Sequence, residues 1–99
     1  MPEGFPAAFP LPSGTVINHQ EARSGGRIII GGVVPLDVKE IAIFLERELP
    51  QAGFTPSLGE SEPGEAESAF EGNGIRGRWK ANSIDGCPNT STLGIVVGQ

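Results

Sequence analysis

Apolar and polar positions alternate with a period of two along most of this chain and switch once to a helical period. The clearest strand is Arg27 to Val34, a β-branched run built on Ile28, Ile29, Ile30, Val33 and Val34. Thr15 to Ala22 precedes it as a first strand, opened by the Ser13-Gly14 turn signal. Ser24-Gly25-Gly26 supplies the glycines that a tight hairpin between the two requires. Gly31-Gly32, inside the second run, marks a bulge or a close approach by a neighbouring element.

The period changes at Pro35-Leu36-Asp37. Asp37 is a good N-cap and Glu40 stands three residues on, an Asp-x-x-Glu relative of the capping box. Val38, Ile41, Ala42, Leu45 and Leu49 then fall on one helical face, with Lys39, Glu46 and Arg47 on other sides. Pro50 is expected to disrupt a continuing helix, and Gly53 can supply a left-handed stop after a distorted last turn.

After the helix, Phe54 to Leu58 reads as a short edge strand, because Pro56 cannot donate to a ladder. Ser61 to Glu65 reads as an acidic loop around Pro63-Gly64. Ala66 to Glu71 and Ile75 to Ile84 form a second hairpin about Asn73-Gly74, a strong short-range turn signal. Asp85 to Asn89 is a further turn, and Thr92 to Val97 closes the set with Leu93, Ile95 and Val97 alternating.

The Asn73-Gly74 turn fixes a register. Glu71 faces Arg76, Ala69 faces Arg78 and Glu67 faces Lys80 on one side, while Phe70 meets Gly77 and Ser68 meets Trp79 on the other. Charges on one face and aromatics on the other describe a half-covered sheet, and the helix is its natural cover. The expected fold is therefore α+β: a two-layer domain of order ββαββββ, with an antiparallel sheet and one helix packed on one face.

Composition refines this picture in three places. Ninety-nine residues fit one domain, and fifteen glycines and nine prolines suit many turns and short strands. Four of those prolines, Pro2, Pro6, Pro10 and Pro12, fall within residues 1–13 and predict a Pro-rich extended arm or linker ahead of a domain over 14–99. Phe5, Phe9 and Leu11 punctuate the arm, so it either lies partly across the domain or is a linker. The formal charge of −5 weighs against nucleic acid as a partner. No apolar run reaches the roughly 20 residues a membrane-spanning helix needs. Met1-Pro2-Glu3 lacks the basic and apolar regions of a signal peptide, so an exported parent would carry its signal elsewhere.

Candidate chemistry is sparse. Gly72-Asn73-Gly74-Ile75-Arg76-Gly77 matches the spacing of a dinucleotide fingerprint, but that mechanism needs a helix where this chain continues as a strand. His19 and Cys87 are the sole histidine and cysteine; paired, they would make a small thiol enzyme, and unpaired they are ordinary strand and turn residues. Glu60, Glu62, Glu65, Glu67 and Glu71 lack the Asp, Asn and glycine pattern of a calcium loop and read as a solvated face. Neither a metal nor a cofactor is expected. Asn89-Thr90-Ser91 has the form of a glycosylation acceptor. Arg76, Arg78 and Lys80 form a basic row able to dock a carboxylate, a phosphate or an acidic protein. The register gives Arg76 and Lys80 acidic neighbours and leaves Arg78 opposite Ala69, making Arg78 the anion-contacting candidate.

The stretch Leu49-Pro50-Gln51-Ala52-Gly53-Phe54, the Phe-x-Gly-x-Gly-x-x-Gly-x-Trp run from Phe70 to Trp79 and the Gly86-Cys87-Pro88 turn carry a resemblance. They are similar to small α+β domains of unknown function in bacterial exported proteins and lipoproteins, over residues 10–97. A Pro-rich lead-in in such proteins follows a signal or lipid anchor. The resemblance implies an extracytoplasmic setting, in the cell envelope or secreted, and a binding or interaction module. It brings no functional residues with it. The rival readings are the Cys87–His19 enzyme and a purely structural spacer.

Overall fold

Residues 4–57 and 59–98 are described by the computed structural model of the chain. Strands β1 (Val16–Arg23) and β2 (Arg27–Val34) form the first hairpin through a 3-10 turn at Ser24–Gly26. Helix α1 (Val38–Gln51) follows, then β3 (Thr55–Pro56), β4 (Glu60–Glu62), β5 (Glu65–Gly72), β6 (Ile75–Ile84) and β7 (Cys87–Gly98). All seven strands join one antiparallel sheet in the order β1-β2-β7-β6-β5-β3, with β4 also paired to β5. Helix α1 packs on β3, β5 and β6, so the fold is α+β, a helix on one face of an antiparallel sheet.

The β5–β6 register agrees pair for pair with the one the Asn73-Gly74 turn implies: Glu71↔Arg76, Ala69↔Arg78, Glu67↔Lys80, Phe70↔Gly77 and Ser68↔Trp79. Asn73 (φ 53°) and Gly74 (φ 77°) both take the positive φ of a type I′ turn. The inner face is mostly apolar. Ile30, Phe70, Trp79, Ala81, Leu93, Ile95 and Val97 are all buried there, and helix residues Val38, Ile41, Leu45 and Leu49 are buried with them.

Three elements differ from the sequence reading in more than a terminal residue. The acidic segment read as a loop contributes a strand, β4, so five strands follow the helix rather than four. Alternating Glu-Ser-Glu has no apolar signature, and only pairing with β5 makes it a strand. The last strand begins at Cys87, because the turn is confined to Asp85-Gly86 and Ile84 pairs directly with Cys87. Strand β3 covers only Thr55–Pro56; Leu58, included in the sequence-based strand, lies outside the described residues. The helix end follows the sequence reading, with a last turn that carries Pro50 to Gln51 and a left-handed stop at Gly53.

Proline is tolerated at Pro50 because it falls in the last turn, where the cap supplies other bonds. Phe54 N–H donates to Leu49 O (3.0 Å) and Gly53 N–H to Pro50 O (3.2 Å), the paired bonds of a Schellman stop. Gly53 (φ 93°) occupies the left-handed position that a Cβ would strain. Asn73 Nδ2 donates to Ala52 O (3.2 Å) and pins the β5–β6 turn to this helix end. At the other end the capping box is complete: Glu40 N–H donates to Asp37 Oδ1 (2.8 Å), and Asp37 N–H to Glu40 Oε1 (3.2 Å). Asp37→Ala should therefore lower stability by about 0.5–2 kcal/mol, seen as a lower urea midpoint at unchanged slope.

The glycine pair in β2 marks a close approach. The bulge lies across from it in β1, where the register passes from Ile17↔Gly32 to His19↔Gly31 and leaves Asn18 as the extra residue. A Cβ on Gly32 would sit 2.6 Å from the Val16 carbonyl oxygen.

The N-terminal segment packs against the domain from Gly4 onward. Phe5 and Phe9 are buried, and Phe9 lies 5.2 Å from the Phe70 ring and 6.0 Å from the Phe54 ring, centroid to centroid. Met1–Glu3 lie outside the described residues. Helix and segment together leave the opposite, outer face of the sheet uncovered.

Candidate functional site

Alternation along each strand sends Arg27, Arg76, Arg78 and Lys80 to the outer face, opposite the buried Ile28, Trp79 and Ala81 and the half-buried Gly77. Strand order then decides which of them meet. Arg76 pairs with Gly98 in β7, and continuing the Ile28↔Val97 register by one residue brings Arg27 to the other side of Gly98. Strands two places apart stand roughly 9–10 Å from each other. Arg27 and Arg76 thus flank a position with no side chain.

Both arginines line a depression of about 870 Å³, together with Arg78, Glu71, Pro56, Ala69 and Val96. Val96 is one of three large apolar side chains left exposed among the described residues. Neither Arg27 nor Arg76 has a carboxylate within 4 Å among the described residues.

The basic row divides. Arg78, opposite Ala69 as the register requires, reaches diagonally and donates to Glu67 Oε1 at 3.2 Å. Lys80 Nζ lies 3.6 Å from Glu65 Oε1 and 3.8 Å from Glu67 Oε2 and does not line the depression. These two cations answer a problem created by β4, which sets Glu60 directly opposite Glu67 and Glu62 opposite Glu65. Like charges so placed repel, and a shared cation relieves them. Arg78, the candidate singled out by sequence, is thus exposed but already paired, whereas Arg76, directly across from Glu71, makes no ion pair within 4 Å among the described residues.

Sequence reasoning missed Arg27. Its outward direction is legible from the alternation of the Arg27–Val34 run. Its neighbourhood with Arg76 depends on β7 inserting between β2 and β6, a long-range pairing that no turn signals.

The other candidates do not converge. His19 pairs with Gly31, and its Nε2 lies 3.2 Å from Glu21 Oε1. Glu21 also accepts a hydrogen bond from Arg23, which together with the nearby charge holds its carboxyl below the usual range. Cys87 is exposed at the start of β7. Gly31 pairs with Gly94, seven residues along β7 from Cys87, so the register sets thiol and imidazole on the order of 20 Å apart. No Cys87–His19 dyad forms. The Gly72–Gly77 run is the β5–β6 hairpin, with a strand after it. Within Asn89-Thr90-Ser91, the Ser91 hydroxyl is buried and donates to Leu36 O at 2.8 Å. Among the described residues no group of three or more His, Cys, Asp or Glu gathers to hold a metal ion, and no helix is long and apolar enough to cross a membrane.

Comparison with protein-family models, curated proteins and solved structures finds no match to this chain.

Proposed function

We propose that this domain is a binding module of a bacterial cell-envelope or secreted protein, and that it holds one anionic group between Arg27 and Arg76. The carrying observation is a pair of arginines flanking Gly98, without a carboxylate within 4 Å among the described residues, at the edge of a depression of about 870 Å³. Two arginines converging on a glycine suit a carboxylate or phosphate, whose oxygens accept from both planar forks. The envelope setting is supported by the sequence resemblance alone.

The test is inorganic phosphate titrated calorimetrically at low salt into the wild type and four variants. Arg27→Ala and Arg76→Ala should each weaken binding about fivefold, the scale of a lost, partly exposed charge pair. Their melting curves should stay within about 0.5 kcal/mol of wild type. The double variant should lose less than the product of the single losses, because both side chains hold the same anion. Arg47→Ala, on the helix and paired with Glu48, should leave binding unchanged. Raising ionic strength should weaken the wild type by screening. Equal affinity in the wild type, both single variants and the double variant would overturn the proposal.

A further inference from the structure

The depression is far larger than one carboxylate or phosphate needs. Cavities of roughly 300–1,000 Å³ hold whole organic molecules, fixed by a few polar groups and covered by apolar ones. This one follows that plan. Its charged end is Arg27 and Arg76, and beside them lie Val96 and Ala69, on either side of Arg78, with Gly98 leaving the floor open between the two arginines. Val96 stands 36% exposed two residues from Gly98 on the same face of β7, an apolar surface the fold does not cover.

The charges around the rim limit how many negative groups a ligand can carry. Glu71 lines the depression opposite Arg76, and Glu60 and Glu62 are exposed on β4 at the same sheet edge. Arg78 and Lys80 are engaged by Glu65 and Glu67. A polyanion, or a flat anionic bilayer, laid over this face would meet those carboxylates. A single headgroup between two guanidiniums would not.

Resting on the anion-site reading above, we infer that the ligand is a free single-chain amphiphilic acid. Its one carboxylate sits between Arg27 and Arg76, and its short alkyl body lies over Val96 and towards Ala69.

Hexanoate, octanoate and decanoate, each kept monomeric, test this beside octylammonium, inorganic phosphate and phosphatidylglycerol vesicles. A fully buried methylene is worth roughly fourfold in affinity. On a face open to solvent about half that free energy is expected, so affinity should rise about twofold per added methylene. Arg27→Ala should weaken all three acids by a similar factor. Val96→Ser should flatten the dependence on chain length, and both variants are surface changes whose folding can be verified by their melting curves. Octylammonium should bind at least tenfold more weakly than octanoate.

If phosphate and the three acids bind equally, the anion site stands and the amphiphile inference fails. If none of them binds, both fail. Octylammonium binding as tightly as octanoate, or binding to vesicles alone, overturns the inference directly.

Discussion

Phe9→Ala should destabilise the domain by about 3–5 kcal/mol, the cost of removing a buried aromatic ring and leaving its cavity. Phe9 is 6% exposed, and its ring joins Phe5 at 5.7 Å, Phe70 at 5.2 Å and Phe54 at 6.0 Å. Phe54 and Phe70 also meet edge to face at 5.6 Å, so Phe9 completes an aromatic cluster that ties the N-terminal segment to β5 and to the residue before β3. For a domain of this size the loss corresponds to a fall in melting temperature of roughly 15 °C or more. Deleting residues 1–13 should go further, since Phe54 and Phe70 would then face water, and the truncated chain should show no cooperative thermal transition. A truncation that melts like the full chain would mean the segment is an appendage after all.

Trp79→Ala is the second large effect, again about 3–5 kcal/mol. The indole is 3% exposed, and in the ladder Trp79 pairs with Ile95 on one side and Ser68 on the other. Its only close polar neighbour by register, Ser68, turns its hydroxyl to Ser57 O at 2.9 Å and so ties down the sheet edge beside β3. As the only tryptophan in the chain, Trp79 also reports its own burial. Emission of the native protein should be blue-shifted and resistant to aqueous quenchers, and it should move to the red along the same urea transition that circular dichroism follows. A red-shifted, readily quenched native emission would place the ring on the outer face and shift the β6 register by one residue.

Those two side chains mark where the sequence was legible and where it was not. Trp79 was readable because Asn73-Gly74 closes a two-residue turn, and a two-residue turn dictates every pair that follows it. The capping box at Asp37 and Glu40, and the apolar stripe from Val38 to Leu49, were equally local. Phe9 was ambiguous. Four prolines in thirteen residues signal an extended chain whether it wanders or packs, and only the ring positions of Phe54 and Phe70, distant in sequence, decide the matter. Strand β4 escaped because three polar residues on an edge leave no hydrophobic trace.

The site divides along the same line. Opposition of Arg76 and Lys80 to glutamates follows from the hairpin, but side-chain pairing does not follow from opposition. Arg78 finds Glu67 on the diagonal, and Arg76 forms no ion pair with the Glu71 opposite it. Arg27 entered only when β7 was seen to lie between β2 and β6. A site spanning three strands that are remote in sequence is a property of topology, and a single chain read along its length shows only its parts.

One measurement bears most directly on whether those parts act together. Side-chain Nε–H resonances of the five arginines Arg23, Arg27, Arg47, Arg76 and Arg78 can be followed while octanoate is titrated into the labelled protein. If one carboxylate sits between two guanidiniums, the Arg27 and Arg76 signals should shift together along a single binding curve. Arg47, on the helix and paired with Glu48, should stay in place. Shifts of equal size at Arg47 and at the outer-face arginines, without saturation, would show diffuse charge screening and contradict the account.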